Sequence, residues 1–80
     1  MILTNNHLKL KLISLHSFSI DNTSNIAVLQ RMLKGNDYDF VIVRNLLIDI
    51  DSLECDWAYA LQYDITSLTE ASEIFKNYII

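Results

Sequence analysis

The chain has 80 residues, of which 51% are hydrophobic and 20% are charged, and its formal net charge is −4. This composition is typical of a globular protein rather than a disordered one, and the length suffices for one domain with a thin core. Only six basic residues are available to meet phosphates, which disfavours direct binding to nucleic acid. We therefore expect a single globular domain over residues 1–80.

Cysteine, glycine and the N-terminal pattern restrict the function further. The single Cys55 excludes an internal disulfide, and Lys9 and Lys11 interrupt the apolar stretch that a secretory signal needs, so we expect a cytoplasmic protein. No apolar run approaches the roughly 18 residues of a membrane helix, so we expect no membrane partner. The lone Gly35 cannot supply a phosphate-binding loop, which excludes nucleotide sites of that kind.

The first predicted element is a strand over residues 8–20. Leucine and lysine alternate from Leu8 to Leu12, as on a strand with one buried face. The alternation then fails before Phe18 and Ile20 restore it. A strand of this length is unusual in so small a domain, so we predict a bulge or break near residues 14–17.

The second predicted element is a helix over residues 26–34. Polar residues 21–25 supply candidate N-caps, and the sequence IAVLQRMLK places apolar side chains three and four positions apart. Gly35 fits the left-handed position that ends many helices. Residues 36 and 37 then turn the chain into the next strand.

Two strands are predicted to pair as a hairpin, over residues 38–48 and 56–66. The first contains a β-branched apolar run, which is typical of a strand covered on both faces. The second places five large residues on alternate positions and hence on one face, namely Trp57, Tyr59, Leu61, Tyr63 and Ile65.

The connection between these strands is predicted at residues 49–54. Two alternatives stay open: a shorter first strand that ends near Arg44 with a tight turn, and a helix over residues 52–63 that would begin with a capping box at Asp51–Glu54. Alternation of large residues favours the strand.

The last predicted element is a helix that begins after Ser67. Ser67 and Glu70 form a capping box, and an apolar stripe follows at Leu68, Ala71 and Phe75. The element order is thus β-α-β-β-α. It predicts an α+β fold, a two-layer sandwich in which a three-stranded, mostly antiparallel sheet carries two helices on one face. Compared with a β-α-β-β-α-β pattern it lacks the last strand, which leaves an open sheet edge beside the first strand.

Negative charge is concentrated in the middle of the chain. Residues 37–64 contain seven carboxylates and one basic residue, a net charge of −6. Four of these carboxylates crowd the predicted hairpin connection: Asp49, Asp51, Glu54 and Asp56. One interpretation is that they are solvated and keep the protein soluble. The other is that they dock on a basic surface of a partner protein.

Three aromatic residues complete the candidate partner-binding set. Trp57, Tyr59 and Tyr63 are of the types enriched at binding hot spots, because they bury a large area and keep a polar tip. If the helices cover the same sheet face, these residues belong to the core. If the helices lie on the opposite face, the three mark an interface.

Metal, cofactor and catalytic sites are not predicted. Asp49, Asp51 and Glu54 lack the glycine and terminal glutamate of a calcium loop. The two histidines are too far from Cys55 in sequence to suggest zinc ligation. Cys55 with His16 as base would lack a third group and an oxyanion donor.

These features predict a non-catalytic protein-binding module. Small size, acidity and the absence of catalytic motifs are typical of inhibitors from phages or mobile elements, such as anti-CRISPR and anti-restriction proteins, which occlude a basic nucleic-acid-handling surface of a host complex. An immunity or antitoxin-type protein that caps a basic toxin is the first alternative. A structural homodimer, or a subunit of a larger assembly, joined through the open sheet edge is the second.

Overall fold

A computed structural model describes all 80 residues as seven strands and one helix. The elements are β1 (Ile2–Asn5), β2 (Leu8–Ser17), β3 (Asn25–Met32), β4 (Tyr38–Arg44), β5 (Leu47–Ile48), β6 (Cys55–Asp56), β7 (Tyr59–Ile65) and α1 (Leu68–Ile79). Five strands form one antiparallel sheet in the order β1-β2-β3-β4-β7, and β5 and β6 form a small separate hairpin. The fold is therefore a mostly-β α+β structure.

The predicted helix at residues 26–34 is wrong, because this segment is strand β3. It pairs with β2 over residues 25–32 and with β4 over residues 26–32. Ile26 and Val28 pack on one face of the sheet, and Ala27 and Leu29 pack on the opposite face. An apolar run that is buried on both faces has no alternation, so over a short stretch it also fits helical spacing.

The predicted three-stranded sandwich with two helices on one face is therefore corrected to five strands and one helix. The helix and the small hairpin cover opposite faces of the sheet. Ala71 of α1 belongs to the cluster of Ile26 and Val28, whereas Cys55 of the hairpin belongs to the cluster of Ala27 and Leu29. Both faces of the central strands are consequently buried.

The first strand pair was not predicted. β1 pairs with the start of β2 through a two-residue turn in which Asn6 and His7 have positive φ angles of 49° and 67°. Two consecutive left-handed residues are what a tight hairpin turn with the right twist requires. β1 thus occupies the edge that was predicted to be open. The outer side of β1 is further tied to the small hairpin, where the Thr4 N–H donates to the Leu53 carbonyl at 3.0 Å.

The predicted bulge in β2 is confirmed, but it lies just before the predicted residues 14–17. The register with β3 shifts between Leu12 and Ser14, and the strand ends at Ser17 rather than Ile20. Leu12 packs on the hairpin side of the sheet and Ile13 on the helix side. Successive residues of a strand face opposite sides in any case, and the bulge changes this parity beyond Ile13. Ser14 is thereby paired with Val28 of the helix-side cluster and Leu15 with Ala27 of the hairpin-side cluster.

The predicted pairing of residues 38–48 with 56–66 is confirmed in β4 and β7, which are antiparallel. The connection is longer than a simple loop. β4 ends at Arg44, close to one alternative, and the chain then forms the β5–β6 hairpin, whose turn is the predicted residues 49–54. The alternative helix over residues 52–63 does not form.

The five alternating residues of the second strand do not share one face. Trp57 packs on the hairpin side, Leu61 and Ile65 pack on the helix side, and Tyr59 and Tyr63 are exposed. Two register shifts between β4 and β7 break the alternation. A bulge reverses the face of every residue beyond it, which a period-two pattern cannot reveal.

The C-terminal helix and its serine cap are confirmed, but Leu68 does not join the buried stripe that was predicted for it. Ser67 is the N-cap, and its Oγ accepts a hydrogen bond from the Glu70 N–H at 3.1 Å. Ala71 is fully buried, and Phe75 packs beside it, whereas Leu68 stays exposed. α1 is also too short to span a membrane.

Candidate protein-binding surface

The acidic hairpin, residues 47–56, has a turn that is closed by several hydrogen bonds. The Asp49 N–H donates to the Glu54 carbonyl at 2.8 Å, and the Leu53 N–H donates to the Asp49 carbonyl at 2.7 Å. The Asp49 carboxylate also accepts from the backbone N–H groups of Asp51 and Ser52, at 2.9 and 3.3 Å. Asp49 therefore stabilises the turn in the manner of an Asx turn, besides carrying charge.

The carboxylates of the acidic hairpin have no basic partner within the chain. All four predicted residues are exposed: Asp49, Asp51, Glu54 and Asp56. Both ion pairs in the structure involve Arg31 instead. The hairpin thus displays carboxylates that form no ion pair, on a backbone that its own hydrogen bonds hold in place.

An open groove of about 1090 Å³ runs beside the acidic hairpin. Asp49, Glu54 and Asp56 line one wall together with Trp57, and the other wall contains His7 of the β1–β2 turn and Lys9 of β2. The Asn5 side chain holds the walls together by donating to the Cys55 carbonyl at 2.8 Å. The groove therefore has an acidic wall, an aromatic side chain and a basic wall.

The predicted site residues fall into two groups. Asp49, Glu54, Asp56 and Trp57 line the same groove, and Asp51 lies on the hairpin turn next to it. Tyr59 and Tyr63 lie on β7 and do not line the groove. The structure therefore assembles the acidic residues with the tryptophan and leaves both tyrosines on the edge strand.

No protein-family model, curated protein or solved structure matches this chain. Function is therefore inferred from the surface itself.

Tyr63 belongs to a charged cluster at one end of the sheet. Arg31 of β3 donates through Nε to Asp39 of β4 at 2.7 Å, and a second bond joins its Nη2 to the same carboxylate. Its Nη2 also lies 3.3 Å from an Asp64 oxygen, and its guanidinium carbon lies 5.8 Å from the Tyr63 ring centre. The bond to Asp39 raises the pKa of Arg31. This cluster joins three strands, which is a structural role.

The groove wall from the β1–β2 turn was missed in the sequence. In the sequence, His7 resembles only an isolated potential metal ligand, and Lys9 occupies the outward face of a strand. The available signal was Asn6, because asparagine tolerates the positive φ angle that the first position of this two-residue hairpin turn requires. The two walls lie some 45 residues apart in the sequence, so no local sequence pattern indicates that they are neighbours in the fold.

Cys55 and His16 do not form a nucleophile and base. Cys55 is buried in the core on the hairpin side of the sheet. His16 lies on β2 opposite Ile26 of β3, and Ile26 packs on the helix side. Burial raises the pKa of the Cys55 thiol, and the charge of Asp56 raises it further. The thiol is therefore a poor nucleophile near neutral pH. No group of three or more potential metal ligands is present.

Proposed function

We propose that this protein is a small non-catalytic module that binds another protein through the acidic hairpin. The observation that supports this most is the exposure of four carboxylates on one hydrogen-bonded hairpin, none of which forms an ion pair within the chain. Carboxylates that only keep a protein soluble do not have to be grouped on one surface. Carboxylates concentrated on a fixed surface steer and orient a basic partner.

The partner has a basic surface that normally handles nucleic acid. A protein with surplus negative charge on a rigid surface can occupy such a region in place of phosphates. Trp57, half-buried in the adjoining groove, adds apolar contact area of the kind found at hot spots. The setting that fits is an inhibitor from a phage or mobile element, of the anti-CRISPR or anti-restriction type.

An immunity or antitoxin-type role uses the same surface and differs only in the partner, a basic toxin. A homodimer is favoured by a different observation. β7 is a terminal strand of the sheet and pairs only with β4. Its two register shifts disrupt the regular edge that a second copy would have to join, so we rank this role last.

Affinity capture from lysate of the natural host tests the partner class. The tagged protein is incubated with lysate at about 50 mM and at about 300 mM salt, concentrations between which the Debye length falls well below 10 Å. We expect a basic nucleic-acid-binding protein to be recovered at low salt and largely lost at high salt. Mass spectrometry identifies what is recovered. Recovery of an uncharged or acidic partner with no salt dependence contradicts the proposal.

A further inference from the structure

A second pocket lies between the acidic hairpin and the loop that joins β2 to β3. It has a volume of about 290 Å³, and we call it the apolar socket. Its apolar lining consists of Met1, Leu15, Leu46, Leu47, Ile48 and Ile50. Leu47 is 68% exposed and Ile50 is 83% exposed, which is unusual for aliphatic side chains placed side by side around a concavity.

The walls of the apolar socket are fixed by a fully buried asparagine. Asn25 donates through Nδ2 to the carbonyls of Asn22 and Leu46, both at 3.0 Å. Its Oδ1 accepts from the Leu46 N–H at 2.8 Å. Asn22 belongs to the loop wall and Leu46 to the hairpin wall, so one side chain sets the distance between them. The socket is thus preformed, as binding pockets usually are.

One carboxylate lies in the socket lining, and two more adjoin a lining residue in the chain. Asp21 lies in the lining, and Asp49 and Asp51 flank Ile50 along the chain. Hydrogen bonds from Thr23 and Ser19 to the Asp21 carboxylate hold it in place and lower its pKa. An apolar centre with a charged rim is the usual anatomy of a protein interface.

The size of the socket suits a single side chain. Cavities of about 150 Å³ bind benzene, and pockets for drug-sized ligands begin at about 300 Å³. A volume of about 290 Å³ therefore accommodates one aliphatic side chain with part of its backbone rather than a cofactor.

We infer that the apolar socket receives an aliphatic side chain of the partner, and that Lys or Arg residues beside this side chain meet Asp21, Asp49 and Asp51. Charge complementarity selects this occupant, because an apolar segment with acidic flanks would be repelled from the rim. The inference rests on the proposed function and adds to it the sequence chemistry of the partner: a leucine-like anchor between basic residues.

Peptide titration followed by NMR tests the inference. The probes are acetyl-Lys-Arg-Leu-Arg-Lys-amide and the same peptide with serine in place of leucine. We expect the leucine peptide to give saturable shifts of the Leu15, Leu47 and Ile50 methyl signals. The serine peptide should bind about tenfold more weakly, since it lacks the buried side chain. Equal affinities for the two peptides, or unmoved methyl signals, overturn the inference.

Variants of the protein separate the socket from the acidic surface. Leu47→Ser should reduce binding of the leucine peptide to the level of the serine peptide. Leu68→Ser, at an exposed leucine of α1 outside the socket, should leave it unchanged. If both peptides shift the backbone signals of residues 49–54 equally while the methyl signals stay in place, the acidic surface stands and the socket is wrong. If neither peptide shifts any hairpin signal, both proposals are contradicted. Methyl shifts that depend on protein concentration without peptide assign the socket to a second copy and overturn the inference.

Discussion

Replacing Asn25 by leucine is expected to lower the free energy of unfolding by about 2–5 kcal/mol. The side chain is fully buried, and its removal leaves the N–H and the carbonyl of Leu46 unpaired in the interior, each at a cost of about 1–3 kcal/mol. Leucine has a similar volume, so loss of hydrogen bonds dominates over cavity formation. A domain of this size is stabilised by only about 4–12 kcal/mol in total, so the effect is large.

Urea unfolding monitored by the fluorescence of Trp57, the single tryptophan, measures this change. The matched control is Asn77→Leu, at an exposed position of α1, which should change the free energy of unfolding by less than about 0.5 kcal/mol. If Asn25→Leu unfolds at the same urea concentration as the wild type, Asn25 does not stabilise the junction between the loop and the hairpin.

Ile42→Ala is expected to cost about 2–5 kcal/mol of stability. Ile42 is fully buried in the core between the sheet and α1, and it lies on β4, which pairs with both β3 and β7. Truncation removes three carbon atoms and leaves a cavity, because the backbone of β4 is held between β3 and β7 and cannot move in to fill it.

The control for this prediction is Ile20→Ala in the β2–β3 loop, where the isoleucine side chain is fully exposed. Its effect should stay within about 0.5 kcal/mol of the wild type. Thermal unfolding followed by circular dichroism gives both values. A cost below about 1 kcal/mol at Ile42 contradicts the description of a close-packed core between the sheet and α1.

Sequence patterns predicted the elements whose signals are local. Ser67 was predicted as a cap because the capping signal lies within a few residues of the helix start. β4 and β7 were predicted as paired strands because each contains its own run of strand-forming residues. The bulge in β2 was anticipated from the broken alternation after Leu12. In each case the evidence lay within about a dozen residues.

β3 could not be distinguished from a helix by the same reasoning. Its side chains Ile26 to Leu29 are all buried because β2 and β4 flank it and cores lie on both faces. Tertiary burial therefore removed the alternation that identifies a strand. This error replaced one sheet strand by a helix. Together with the separate omission of β1, it placed the open edge beside the wrong strand.

The candidate surface was predicted in part. The acidic residues of the hairpin are adjacent in sequence, so their grouping with Trp57 was visible. Tyr59 and Tyr63 were included on the assumption of an uninterrupted strand, which the register shifts in β7 contradict. The basic wall of the groove and the apolar socket depend on contacts between distant segments, such as Asn25 with Leu46, and no local pattern encodes them.

The most direct test of the acidic surface compares two charge-reversed proteins in capture from host lysate. Asp51→Lys with Glu54→Lys changes the acidic hairpin, and Asp37→Lys with Glu73→Lys makes the same change in net charge at exposed positions elsewhere. Circular dichroism confirms that both remain folded. We predict that the hairpin variant loses the partner recovered by the wild type and that the control variant keeps it. Retention of the same partner by the folded hairpin variant contradicts the account.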